Sequence, residues 1–273
     1  MDPIQTAAQW ISGAKGLVIL SGAGMGVDSG LPDFRGDQGF WQAYPHYEKL
    51  GIRFQDAANP NHFEQDPLFG WGFYAHRLNL YRKTEPYRGF FQLQSWAKKF
   101  NYDAFAVTSN VDGQFQKAGF SKNQVLEVHG SIHRLQCTQP CSTELWDNEH
   151  HIKVSELDMR AEKAPECVRC GLVARPNILM FGDPSWVEDH TRSQEERFSQ
   201  FVESRGAQNL LAIEIGAGMA VPTIRLMTER LARQGVRSIR INPIDAAIKH
   251  PNLSIQLTGK QALEQINRLL LEA

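Results

Sequence analysis

The sequence has no apolar run long enough to span a bilayer. The longest, near Leu210, is broken by Glu214, so no membrane-spanning helix is expected. It also has no excess of charge of either sign: 29 basic against 30 acidic residues leave a formal net charge of −1. That balance argues against a nucleic-acid binder held by bulk electrostatics, although it leaves room for a local basic groove. Residues Met1 to Trp10 are too polar for the apolar stretch of a secretory leader, so the expected compartment is the cytoplasm. There the four cysteines are not expected to form structural disulfides. No internal repeat and no low-complexity segment interrupts the chain. What is present is ordinary soluble composition, 42% hydrophobic and 22% charged over 273 residues, enough for one large domain or a large domain with a small one attached.

Short apolar runs read as buried strands at Leu17 to Leu20, Ala104 to Thr108, Gln124 to Val128, Asn177 to Phe181, Leu210 to Ile215, Ser238 to Ile241 and Leu253 to Leu257. Helical periodicity falls between most of them, including Gln65 to Arg82, Trp186 to Glu203, Val221 to Gln234 and Lys260 to Leu271. Strands alternating with helices predict an α/β fold: a Rossmann-like, doubly wound parallel sheet covered on both faces. The stretch from Cys137 to Cys170 breaks that rhythm. It is polar and poor in aliphatic residues, so it needs something other than its own core to hold it. The expected division is a nucleotide-binding sheet domain from 1–36, 104–136 and 171–273, a helical segment over 37–103 and an inserted module at 137–170.

Gly22-Ala23-Gly24-Met25-Gly26 follows the first strand directly. Glycines in that place let a backbone approach a pyrophosphate. The spacing is not GxGxxG, and the loop soon meets Pro32 and the cluster Asp33-Phe34-Arg35 instead of running on as a helix. Such a cluster could cover the nicotinamide end of a dinucleotide. Cys137-x3-Cys141 and Cys167-x2-Cys170 form two close pairs 25 residues apart. Four thiolates select zinc among common metals, and a site closed by four protein ligands is structural. His150 and His151 lie inside the loop and could substitute as ligands, but the thiolate set is already complete.

These residues resemble the sirtuin family, in motifs spread from Gly22 to Asn242. Gly22-Ala23-Gly24 with Ser29 to Gly36 is similar to the family's first NAD signature, and Ser109-Asn110-Val111-Asp112-Gly113 to its second. His129-Gly130 resembles the catalytic histidine motif. Arg175-Pro176 and Phe181-Gly182-Asp183 look like the strand and loop that receive substrate, and Gly216-Ala217-Gly218 with Asn242 fall where the family binds the adenosine half. The resemblance implies an NAD-dependent enzyme that removes acyl groups from lysine side chains of proteins, giving nicotinamide and O-acyl-ADP-ribose. It implies a structural zinc ion and neither membrane nor nucleic acid as partner. His129 would be the base acting on the ribose hydroxyls, a task that suits an imidazole near neutral pH. Asn110 and Asp112 would orient the ribose and the nicotinamide amide. Asp112 could instead cap a short helix starting at Gly113. Asp33, Phe34 and Arg35 would line the cofactor, with Phe34 shielding the reacting centre from water.

The chain departs from the family pattern at Gly26 and Ser109, and Ala217-Gly218 replaces a hydroxyl-bearing pair. Each change removes or shortens a hydrogen-bonding side chain, a loss of ~0.5–1.5 kcal/mol per bond. Mono-ADP-ribosyl transfer on the same scaffold and non-catalytic NAD binding are the rival readings, and His129 speaks against the first. Tyr74 and Arg77 are three apart in a helical segment and so share a face. The pair resembles the Tyr-x-x-Arg of sirtuins that prefer succinyl- or malonyl-lysine, where a guanidinium can pair with the distal carboxylate. The alternative places Tyr74 inward and Arg77 as a solvated surface charge.

Overall fold

The computed structural model describes residues 2–32 and 36–272. Six parallel strands form the main sheet: β1 (Gly16–Ser21), β2 (Asp103–Thr108), β3 (Val125–Glu127), β7 (Leu210–Ile215), β8 (Arg237–Ile241) and β9 (Leu253–Ile255). Their spatial order is β3-β2-β1-β7-β8-β9. The central strands β1 and β7 are mostly aliphatic because both faces are covered. Leu17 and Ile19 of β1 enter one core with Ile4, Ile11, Leu93 and Ile266, whereas Val18 and Leu20 enter another with Phe201, Ile224 and Leu231. Alternation along one strand thus feeds two opposite layers. The first is built on helices Pro3–Gly13, Arg88–Lys99 and Gly259–Glu272, the second on Asp189–Arg205 and Thr223–Arg233.

A second, three-stranded sheet has the order β5-β4-β6, from β4 (Gly130–Cys137), β5 (Trp146–Asp147) and β6 (Ala174–Ile178). Here one expectation is corrected. The strand placed at Asn177 to Phe181 in the parallel sheet runs instead over Ala174–Ile178 and pairs antiparallel with β4. Only two residues, Val128 and His129, separate β3 from β4. That is too short for the crossover a further parallel strand would need, so the chain leaves the main sheet at this point.

A third core joins the small sheet to the helical segment. Phe40, Tyr44, Tyr47, Phe63, Trp71 and Phe73 pack with Ile132, Leu135 and Ile178, and with Ile152 and Met159 from the cysteine-bearing stretch. The longest helix of this layer, Pro67–Lys83, is capped by the Asp66 carboxylate on the Phe69 amide and carries Pro67 at its first position. It is apolar around much of its circumference, as a helix wedged between two layers must be.

Candidate active site

In the main sheet the chain winds outward from β1 in one direction through β2 and β3, and in the other through β7, β8 and β9. The strand order therefore switches between β1 and β7, and a crevice opens beyond their carboxyl ends. The two loops leaving these strands interlock there. Gly24 N donates to Gly216 O at 3.0 Å. A Cβ on Gly22 would lie 2.7 Å from the Ala217 Cα, and Gly216 holds φ +63 with the Gly24 backbone 2.5 Å from where its Cβ would be. Glycine is required at both positions by contact, and at Gly216 by conformation as well. Asn110, just past β2, donates its side-chain amide to Gly22 O at 3.1 Å, latching the second motif to the first.

A cavity of about 610 Å³ extends from these loops towards the Pro67–Lys83 helix, a volume suited to a bound small molecule. Of the residues singled out in the sequence, Gly22, Ala23, Tyr74, Arg77, Ser109, Asn110, Asp112, His129, Phe181, Ala217 and Gly218 line it. Gly24 and Gly216 stand behind the lining as the interlock. Asn242 is buried; it donates to Ala217 O at 2.9 Å and accepts from the Ile244 and Asp245 amides at 3.0 Å each. Gly182, with φ +63, makes the turn after Phe181. Asp33, Phe34 and Arg35 lie outside the described residues.

His129 occupies the short link between β3 and β4, and its carbonyl accepts from Leu179 N at 3.0 Å. Burial holds its imidazole below the usual basicity, partly offset by a hydrogen bond to the Ser109 backbone. Its Nε2 lies 3.4 Å from the Thr223 hydroxyl. Burial thus favours the neutral ring, held between the Ser109 backbone and the Thr223 hydroxyl. Asp112 is buried, and its Oδ1 accepts from the Gln114 amide at 3.0 Å at the start of helix Gln114–Lys117. The capping alternative therefore describes one oxygen of a carboxyl group that also faces the cavity. Burial pushes this carboxyl up to about 6, against the Gln114 hydrogen bond and the charge of Arg77. Behind it, His133 Nε2 donates to Asp112 O at 2.9 Å.

Arg77 is 7% exposed, which removes the surface-charge alternative. Its Nε and Nη2 donate to the Tyr81 hydroxyl at 2.9 and 2.7 Å. The guanidinium carbon sits 5.1, 5.8 and 5.4 Å from the ring centres of Phe73, Tyr74 and Tyr81, within cation–π range. Tyr81 was not among the residues chosen from the sequence. Its signal was present in the spacing, since 74, 77 and 81 follow one helical stripe. Opposite, Phe181 N donates to Ala58 O at 3.1 Å, and its ring meets Phe54 edge-on at 5.9 Å. The Phe181–Gly182 turn is secured by a buried ion pair: Arg175 Nη1 and Nη2 reach the Asp183 carboxylate at 2.9 and 2.8 Å.

At the far end of β4 the four cysteines converge, every Sγ within 4.8 Å of the others. Cys137 and Cys170 are 3.6 Å apart, Cys141 and Cys167 3.7 Å. Tetrahedral zinc with Zn–S near 2.3 Å requires S···S separations of about 3.8 Å, so the set fits one zinc ion. Gly171, with φ +74, donates its N–H to Cys167 O at 3.0 Å and shapes the second pair as a tight turn.

The Sir2 family profile matches residues 22–220. The chain belongs to the Sir2 family. A Sir2 relative from Saccharolobus solfataricus, an NAD-dependent protein deacetylase, is 29% identical over 262 residues, 93% of each chain. An NAD-dependent protein deacylase from Aeropyrum pernix is 30% identical over 243 residues, 89% of this chain and 87% of its own. Among solved structures, a Sir2 homologue–NAD complex superposes with TM-score 0.71 at 26% identity, covering all of this chain and 94% of that one. A Sir2 homologue variant with ADP-ribose gives 0.73 at 25%, covering all of this chain and 97% of the other. The interlocked glycine loops and the four-cysteine cluster of this Sir2 chain are compatible with NAD and with structural zinc. Among the described residues no helix is long and apolar enough to cross a membrane.

Proposed function

We propose that this Sir2-family protein removes acyl groups from lysine side chains of proteins at the expense of NAD. NAD, water and acyl-lysine would give nicotinamide, O-acyl-ADP-ribose and free lysine. The observation that carries the reading is the placement of His129. A half-buried imidazole, its basicity lowered by desolvation, faces a cavity whose other wall is made by the two glycine loops. The family membership and the NAD-dependent relatives support the same activity.

Bound NAD supplies the ribose carbon that loses nicotinamide and the hydroxyl that accepts the acyl group. The rest is work for this chain's residues. Gly22, Ala23, Ala217 and Gly218 would hold the dinucleotide backbone with main-chain groups, since none of them offers a polar side chain. Asn110 and Asp112 would orient the nicotinamide end, Asp112 in either protonation state near neutral pH. His129, kept unprotonated by burial, would take a proton at Nε2 from a ribose hydroxyl that replaces Thr223 as its partner. Phe54, Phe181 and Leu31 would exclude water from the reacting centre.

His129→Ala tests the base. Turnover should fall by ~10²–10⁴-fold while NAD binding persists. Retention of more than about a tenth of wild-type activity would remove His129 from that role.

The same cavity supports an acidic acyl group as substrate. Tyr74 and the Arg77 guanidinium both line it, and the guanidinium is held in place by Tyr81. A succinyl or malonyl carboxylate would meet a pre-oriented cation in a mostly apolar surrounding. Deacylation of succinyl- and acetyl-lysine peptides by wild type and Arg77→Met decides it. Succinyl activity should fall roughly ten- to hundredfold with acetyl activity little changed. Equal losses on both peptides would show that Arg77 only supports the helix.

A further inference from the structure

Among the described residues Arg175, Arg225 and Arg240 are buried, as Arg77 is, and Arg225 forms no ion pair with a carboxylate. Arg175 is paired with Asp183 and Arg240 with Glu214, both partners buried. Arg225 is 7% exposed, yet its hydrogen bonds are from Nη1 to the backbone oxygens of Ala217, at 3.3 Å, and Asp245, at 3.0 Å. Among the described residues no carboxylate pairs with it. A buried cation without an anion is costly. The position adds to the problem. Arg225 lies in the first turn of helix Thr223–Arg233, where the helix end is itself partially positive and favours anions. Two sources of positive potential therefore coincide, and among the described residues no carboxylate forms an ion pair with Arg225.

The cavity adjoins the two carbonyls that Arg225 joins. Ala217 and Asp245, the two residues whose carbonyls Arg225 joins, line the cavity, together with Gly218 and Ile224. Arg225 thereby ties the loop after β7 to the loop after β8 across this end of the crevice. The Ala217-Gly218 pair has no hydroxyls with which to bind a phosphate, so its loop has main-chain groups alone.

We propose that Arg225 is a positioning residue for the dinucleotide. It fixes the Ala217–Gly218 loop through the two carbonyls, and its charge is the counter-charge for the ligand's diphosphate. The inference rests on the dinucleotide reading of the cavity and specifies which side chain supplies the charge that the loop's own residues lack.

Calorimetric binding of ADP-ribose and of adenosine to wild type, R225Q and R225K, each checked by thermal melting, tests this. The two ligands differ by the diphosphate and its distal ribose. R225Q should weaken ADP-ribose roughly tenfold or more and adenosine, which lacks the diphosphate, by much less. R225K, which keeps the charge, should retain most of the ADP-ribose affinity. Should R225Q fail to fold, wild type carries the test: added salt should weaken ADP-ribose and not adenosine. Equal weakening of both ligands by R225Q, no weakening of ADP-ribose, or a flat salt response in wild type would overturn the proposal. A wild-type protein that binds no ADP-ribose at all would overturn the dinucleotide reading itself.

Discussion

Arg175 and Asp183 form a two-pronged ion pair, 2.9 and 2.8 Å, with both side chains fully buried. The same Asp183 carboxylate accepts from Met180 N at 3.3 Å and Ser185 N at 3.3 Å, so one buried anion organises the whole turn that carries Phe181 into the cavity wall. Arg175→Met leaves that anion unpaired and should destabilise the fold by ~3–5 kcal/mol. The double variant Arg175→Met with Asp183→Leu should recover much of the stability, but not the turn. Urea unfolding and the KM for an acyl-lysine peptide separate the two effects. A double variant with wild-type KM would show that the pair serves stability alone.

The cysteine cluster predicts one zinc per chain. Cys167→Ala should release it and loosen the 137–170 stretch, because metal binding and folding are coupled. That stretch contributes Ile152 and Met159 to the core beneath Tyr74, so near-ultraviolet circular dichroism from the aromatic layer should change as well. Metal analysis that finds no zinc in protein purified without chelators contradicts the assignment.

How much of this was readable from the residues alone follows from what surrounds each one. The central strands of the main sheet, β1 and β7, are legible because burial on both faces leaves them mostly aliphatic. β4 is not, since Gly130-Ser131-Ile132-His133-Arg134-Leu135-Gln136-Cys137 alternates poorly and acquires its burial from β5, β6 and the aromatic core. β6 itself is displaced from the apolar run that announced it. Leu179 and Phe181 are partly exposed at the cavity wall, whereas Arg175 is fully buried because Asp183 answers its charge. The glycine loops and cysteine pairs are local motifs and stand out. Tyr81, Thr223 and Arg225 matter only through partners distant in sequence or through burial, neither of which a local pattern records.

The buried carboxyl groups predict an unusual pH response. Burial raises Asp112 from 3.8 to about 6 and Glu127 from 4.5 to about 7, the latter against hydrogen bonds from Ser131, Gln194 and Gln116. A carboxyl whose folded pKa is raised contributes stability below its unfolded pKa, and that contribution is lost as pH rises through the folded value. Between about pH 4 and 7 these two groups therefore favour the acidic end. Asp112→Asn keeps the acceptor for Gln114 N and removes the charge. It should raise stability at pH 7.5 by roughly 1–3 kcal/mol and by little at pH 4. Thermal melts at the two pH values check this; an equal shift at both would show that ionisation of Asp112 is not the cause.

The central claim is that His129 and the two glycine loops serve one reaction on NAD and acyl-lysine. Mass spectrometry of the products from purified protein, NAD and an acyl-lysine peptide tests it most directly. The account predicts nicotinamide, free-lysine peptide and O-acyl-ADP-ribose in equal amounts, with deacylated peptide and O-acyl-ADP-ribose reduced ~10²–10⁴-fold by His129→Ala. Nicotinamide accompanied by an ADP-ribosylated protein, or NAD left intact, would contradict it.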